Sequence, residues 1–271
     1  MSSGESPERA PRVSVVVPCY QSAATIGRAI ESVARQSMRA LEIIVVDDGS
    51  SDDTVRVLGA LRESFDDNWL RIIELGRNLG PSAARNAGWD AASGDFVAFL
   101  DADDAWNPRK LEIQSRFMFE NPQVALCGHL FRLGVGPVQQ IADLPEAVDI
   151  SARQLLWSNR FITPSAMLRR ELPFRFQIDQ RHMEDHRLWL EIALAGCRVA
   201  RLEAELAVLF KPAFEISGQS ANLLAMERAE LRNYRVIRRQ SRIGLPLYVM
   251  LCIWSAAKFL RRLLIVALRN R

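Results

Sequence analysis

The sequence predicts an α/β fold: a mostly parallel, Rossmann-like sheet with helices on both faces. Three observations carry this. Apolar, β-branched runs of five or six residues recur through the first half, the pattern of strands buried on both sides. Segments with helical apolar spacing separate them, as crossovers between parallel strands require. Each run ends in a polar loop, and in such sheets the loops of one edge share a ligand crevice.

The elements follow in order. Val13–Val17 is a strand closed by Pro18, and Ile26, Ile30 and Val33 mark a helix. Leu41–Val46 is a second strand, closed by Asp47-Asp48-Gly49-Ser50. Asp52 and Asp53 are placed to cap a helix over 54–63. Leu70–Leu75, a helix over 82–92 and Phe96–Leu100 complete this half. A helix then begins near Pro108. Beyond Pro122 the pattern loosens: a strand over 124–133, a loop over 134–147 and a short helix over 150–158. A stronger helix covers 183–195 and ends at Gly196. A strand over 201–211 and a basic helix over 222–240 follow.

Composition narrows the class. With 49% apolar and 25% charged residues among 271, the chain is of ordinary soluble globular type. Cys19, Cys127, Cys197 and Cys252 form no CxxC pair, which argues against structural zinc and fits a reducing compartment. Residues 1–12 are polar, lack the apolar core of a signal peptide, and read as a disordered N-terminus; a cytoplasmic location is expected. The net charge of +3 hides an asymmetry. Residues 228–271 hold eleven Lys/Arg and one acid, Glu230, a balance of +10, so the rest of the chain is at −7.

Three carboxylates crowd the end of the fourth strand: Asp101, Asp103 and Asp104. Clustered carboxylates repel and must stay hydrated or find a cation. Hard oxygen donors at a strand end point to Mg²⁺ or Mn²⁺ shared with substrate phosphates. A solvated acidic turn capping the next helix is the alternative. Arg85 and Asn86 lie on a helix opened by Gly80-Pro81-Ser82. Arg85 there suits a diphosphate, or pairs with a strand-end aspartate and orients it. His129, His182 and His186 form no metal-site pattern. Trp89, Trp106, Trp157 and Trp189 read as core.

Taken together, Pro18-x-Tyr20, Val45-Val46-Asp47-Asp48-Gly49-Ser50-x-Asp52, Ala84-Arg85-Asn86-x-Gly88, Phe99-Leu100-Asp101-Ala102-Asp103-Asp104 and Glu184-Asp185 resemble, in order, the motifs of the family 2 glycosyltransferases. The resemblance covers 13–220. It implies a GT-A fold and an inverting enzyme that moves a sugar from a nucleotide-sugar, UDP-linked, to a hydroxyl of a glycan or lipid-linked acceptor in bacterial surface polysaccharide assembly. It divides the chain into a nucleotide-sugar-binding half (13–105), an acceptor half (106–220) and a basic helical tail (221–271).

By that resemblance Asp48, beside Asp47, recognises uracil, helped by Pro18 and by Tyr20 packing on the base, and Arg85 and Asn86 are expected to contact the nucleotide-sugar. Gln21 departs from the Asn usual after that tyrosine. Asp101-Ala102-Asp103 resembles the DxD motif: Asp103 is the expected direct metal ligand, and Asp101 contacts ribose or, through water, the Mg²⁺ or Mn²⁺. Asp104 serves the acceptor side or caps the next helix. Asp185 is the expected base that takes the acceptor proton, with Glu184 as orienting neighbour. Some relatives place a late histidine in the metal shell; 210–220 contains none, and Lys211 or Ser220 is expected to approach the diphosphate instead. A non-catalytic nucleotide-sugar binder is the competing class. A Rossmann oxidoreductase is disfavoured because no GxGxxG follows the first strand.

The run from Ile243 to Ala257 is uncharged but too short to cross a bilayer comfortably. An interfacial helix on an anionic membrane, anchored by Trp254 and by Lys258, Arg261 and Arg262, is expected. A helix packed on the domain and a dimer seam are the alternatives. The location that follows is peripheral, at the inner face of the cell membrane. No nucleic-acid-binding fold accompanies the basic charge.

Overall fold

The computed structural model describes residues 10–65, 68–134, 140–210 and 222–269. Strands β1 (Val13–Cys19), β2 (Glu42–Asp47), β3 (Leu70–Glu74) and β4 (Phe96–Phe99) lie side by side as β3-β2-β1-β4, all parallel. Their registers align like faces: Val15 stands opposite Ile43 on one side of the sheet, Val16 opposite Ile44 on the other. Every one of those side chains is fully buried, which explains why the runs are continuously apolar rather than alternating.

Helices α1 (Ile26–Ala34), α2 (Thr54–Glu63) and α4 (Lys110–Glu120) cover the face of Val15 and Ile43, packing Ile30, Leu58 and Leu111 into it. The opposite face takes α3 (Pro81–Asp90) through Ala84 and Trp89, and α6 (Glu184–Leu194) through Leu188 and Trp189. Trp89, Trp106 and Trp189 are buried, as read from the sequence. All four cysteines are free thiols.

The sheet continues past β4 as β8-β6-β9-β5, with β7 paired on β9. The ranges are β5 Ala105–Trp106, β6 Val124–Leu133, β7 Ala147–Asp149, β8 Met167–Arg169 and β9 Arg198–Leu209; α5 (Ala152–Trp157) lies between β7 and β8. Because β8 is antiparallel to both β4 and β6, and β9 is parallel to β6, six of the nine strands share one direction. Helix α5 opens with a reciprocal Ser151–Gln154 capping box. The sequence pattern did not reveal β5, β7 and β8. Strands of two or three residues carry no alternation, and their partners create them: Met167 pairs with both Ala98 and Cys127.

Two helices, α7 (Leu223–Arg239) and α8 (Leu245–Arg269), close the described chain. Tyr234, Ile237, Ile243 and Leu251 join the same apolar cluster as Val16 and Phe99. Each such buried side chain contributes roughly 1.5–3 kcal/mol, so packing holds these helices on the domain. One expectation is corrected here. Lys258 does not face outward: it pairs with the buried carboxylate of Glu230, which also accepts from the Tyr234 hydroxyl at 2.7 Å. Burying that carboxylate required a cation beside it. Trp254 is also committed, donating its indole N–H to the Trp157 carbonyl at 3.1 Å and standing edge-on to that ring.

Candidate active site

Parallel pairing brings the C-terminal ends of β1, β2 and β4 to one edge of the sheet, and the motif residues with them. After β2, Asp47 accepts from the Ser50 amide at 3.0 Å, closing the turn. Gly49 sits at φ +75°, and a Cβ there would lie 2.6 Å from the Arg77 backbone. Asp48 accepts from the amides of Leu79 and Gly80 at 2.7 and 2.8 Å. Its first task is therefore to fix the segment that opens α3, leaving its remaining lone pairs for a ligand. Both aspartates are almost wholly buried, whereas Tyr20 is 45% exposed and free to stack.

Between the first two loops, Asp52 accepts from the amide and hydroxyl of Thr54, capping α2, and from the Ala23 amide at 3.4 Å. Asp53 instead pairs with Arg56. Gln21 adopts φ +49°, a conformation in which Asn is much better tolerated than longer side chains. Its amide donates to Ser50 at 2.9 Å, so the tie between the loops holds this residue in the strained region.

Gly49→Ala tests this corner. The left-handed backbone costs a side chain about 1–2 kcal/mol, and the Arg77 backbone must also move. A thermal unfolding midpoint lowered by several degrees is expected. An unchanged midpoint would mean that the turn is more pliant than its geometry implies.

Arg85 is the hub of the site. Its guanidinium donates to Asp101 at 2.9 Å and to Glu184 at 3.0 Å, tying the end of β4 to the start of α6. Only 7% of its side chain is exposed, and the carboxylates beside it raise its affinity for its proton. Of the two roles foreseen for Arg85, the structure shows the pairing with a strand-end aspartate. Asn86 spends both ends of its amide on the Phe176 backbone, at 2.8 and 2.9 Å. It is a strut that holds the segment before α6 against α3.

Asp101, Asp104, Glu184 and Asp185 line one cleft of about 300 Å³ together with Arg85 and Asn159. Burial pushes the Asp104 carboxyl up to about 8, and the nearby Asp101 and Asp103 push it further in the same direction. Asp101 is also raised by burial, against the pull of Arg85. Leaving water thus shifts both carboxyls toward their neutral form. Asp103 follows on the same turn, and its carbonyl accepts from Arg28 at 2.5 Å.

At the start of α6 the two acids diverge. Glu184 is 5% exposed. Burial raises it to about 7 although Arg85 opposes the shift, so desolvation outweighs the ion pair. Asp185 is half-buried, accepting from Asn159 Nδ2 at 3.1 Å and from the adjacent His186 amide at 2.6 Å. Met183, immediately before, takes the left-handed φ +55°, a strained entry of the kind found at functional sites. His186 is buried with Nε2 2.7 Å from the Leu155 carbonyl, and burial lowers His129 to about 3; neither is placed as a ligand.

The sequence did not single out Asn159 or Arg28. Asn159 lies in an irregular stretch with no periodic signal. Arg28 is the one cation of an amphipathic helix that also carries Glu31, a weak sign in itself. Lys211 and Ser220 lie outside the described residues. Among the described residues no three His, Cys, Asp or Glu side chains gather as a complete ion cage. An ion shared with substrate phosphates needs only one or two carboxylates from the protein.

A mostly parallel sheet with acidic loops at one edge and a second acidic pair opposite is the arrangement that the resemblance to the GT-A glycosyltransferases implied. The model of the glycosyl transferase family 2 matches residues 14–177, and the chain belongs to that family; it is a glycosyltransferase. Over 181 residues it is 33% identical to the UDP-Glc:alpha-D-GlcNAc-diphosphoundecaprenol beta-1,3-glucosyltransferase WfgD of Escherichia coli, covering 66% of this chain and 69% of that one. Two further curated relatives are matched over 31% and 29% of their length. Residues 1–349 of S. aureus TarS, solved with UDP-GlcNAc, superpose with a TM-score of 0.69 at 20% identity, over 93% of this chain and 72% of that one. The mannosyltransferase PcManGT of Pyrobaculum calidifontis, solved with GDP-Man and Mn²⁺, gives 0.66 at 21% identity, over 93% and 74%. These likenesses confirm the GT-A fold read from the sequence.

Proposed function

We propose that the protein is an inverting glycosyltransferase that moves a sugar from a UDP-sugar to a hydroxyl of a glycan or lipid-linked acceptor in bacterial surface polysaccharide assembly. The observation that carries this reading is the Asp101–Arg85–Glu184 bridge, which sets the strand-end carboxylates and Asp185 in one cleft. The name of WfgD, with its UDP-Glc donor and diphosphoundecaprenol acceptor, supports the choice of substrate classes.

Donor and acceptor then occupy opposite sides of the cleft. Pro18, Tyr20, Asp47 and Asp48 hold the base at the β1 and β2 ends, with Tyr20 stacking. Asp103 and Asp101 fit a Mg²⁺ or Mn²⁺, because they are hard oxygen donors placed together at a strand end. The ion supplies charge neutralisation at the diphosphate. Arg85 keeps Asp101 in place and, through Glu184, fixes the first turn of α6. Asp185, oriented by Asn159 and the His186 amide, accepts the acceptor's proton. The acceptor oxygen forms its bond to the anomeric carbon from the side opposite the diphosphate. The bond from that carbon to the phosphate oxygen breaks, and its electron pair leaves with the nucleotide.

The test is a screen of UDP-, GDP- and dTDP-sugars for hydrolysis with and without Mn²⁺ or Mg²⁺, read by mass spectrometry. Ion-dependent release of UDP is expected. Release of GDP alone would overturn the assignment of the base, and failure of every donor to bind would overturn the reading of the cleft.

A further inference from the structure

Helix α8 spans 25 residues, about 37 Å at 1.5 Å per residue, and has two unlike faces. Its inner face is occupied: Leu251 is buried, Ser255 donates to Glu227 at 2.8 Å, and Lys258 meets Glu230. Its outer face is apolar and uncovered. Val249, Met250, Ile253, Leu260 and Leu264 are exposed by 46, 48, 66, 60 and 64%. Helical spacing sets them in one stripe, with the exposed Ala256 and Ala257 between them. From Leu245 to Leu260 the only charged side chain is Lys258, which is turned inward. An uninterrupted apolar stripe on a surface marks an interaction site.

The surrounding charge selects what covers it. The single acid of 228–271 is Glu230, which is 1% exposed and neutralised by Lys258. Every solvent-facing charge of this region is therefore positive: Arg232 meets Asp179, and Arg235, Arg239, Arg242 and Arg261 are exposed as well. A second copy docked symmetrically on the stripe would set the arginines of one segment against those of the other, with no exposed acid in 228–271 to meet them. No described helix is long and apolar enough to cross a membrane. We propose that the outer face of α8 lies along the surface of an anionic bilayer, its apolar stripe sunk to the acyl boundary and its arginines on the lipid phosphates. Helix α7, packed on α8, contributes Met226 to the wall of the cleft. The lipid surface thus lies one helix away from the acceptor side. The inference does not depend on the donor or on the transfer step.

The full chain is tested by co-sedimentation with phosphatidylglycerol–phosphatidylcholine vesicles and with pure phosphatidylcholine vesicles, at low and high salt. Partition onto the anionic vesicles, weakened by salt, is expected. Ile253→Asp with Leu264→Asp should abolish it without moving the unfolding midpoint, because both side chains are exposed. Arg239→Glu with Arg261→Glu should reduce it at least ~10-fold, from about 1 kcal/mol per cation. Three results would each overturn the proposal: no partition of the unaltered chain, partition unchanged by the Asp pair, or a concentration-dependent dimer that the Asp pair dissolves while vesicles bind nothing.

Discussion

Asp185→Asn is expected to lower the rate of sugar transfer by roughly 10²–10⁴-fold, leaving the affinity for UDP within about a factor of two. The amide keeps the shape of the carboxylate and the contact to the His186 amide, so α6 stays in place. It cannot accept the acceptor's proton. The measurement pairs single-turnover transfer with a titration of UDP. Near-normal transfer would remove Asp185 as the base and pass the role to Glu184, the other acid at this end of the cleft among the described residues. Glu184 is less suited: it is 5% exposed and already bound to Arg85. A loss of UDP affinity together with transfer would instead show that the substitution had disturbed the donor side.

Arg85→Ala should be the most damaging single change to the fold around the site. It strips the shared cation from Asp101 and Glu184, and breaking a buried pair from one side costs about 3–5 kcal/mol. Arg85→Lys should rescue little, since one ammonium cannot span two carboxylates as the guanidinium fork does. Denaturant unfolding reads the loss, and stability within ~1 kcal/mol of the parent would show that the bridge is incidental. Glu184 adds a pH signature. Its folded pKa is raised, from the ordinary 4.5 to about 7. Its contribution to stability is therefore complete below about pH 4.5 and lost as pH climbs through 7. Glu184→Gln keeps an acceptor for Arg85 and should flatten that part of the profile.

Much of this was legible in the chain. Strands buried on both faces must be apolar throughout, so β1, β2 and β4 stood out, and the helices between them followed from spacing. The expected span 54–63 for α2 and 124–133 for β6 match the structure at both ends. Short strands were not legible because the sheet imposes them: β5 and β8 exist only as partners of β9, β4 and β6. The acidic motifs were visible as residue types, yet the division of labour among them was not. Asn86 looked like a ligand contact and is a strut, since the need to fix Phe176 arises only once α3 and the segment before α6 meet.

What the sequence determined by itself was the α/β class, the family and the candidate residues, because apolar periodicity and motif order are local properties of the chain. Only the tertiary structure decided who pairs with whom. Arg85 reaches Asp101 sixteen residues away and Glu184 ninety-nine away, and Lys258 turns inward because Glu230 is buried opposite it. Desolvation sets those choices: once a carboxylate leaves water it must take a cation or donor N–H groups, and which of these are nearest is known only after the chain has folded.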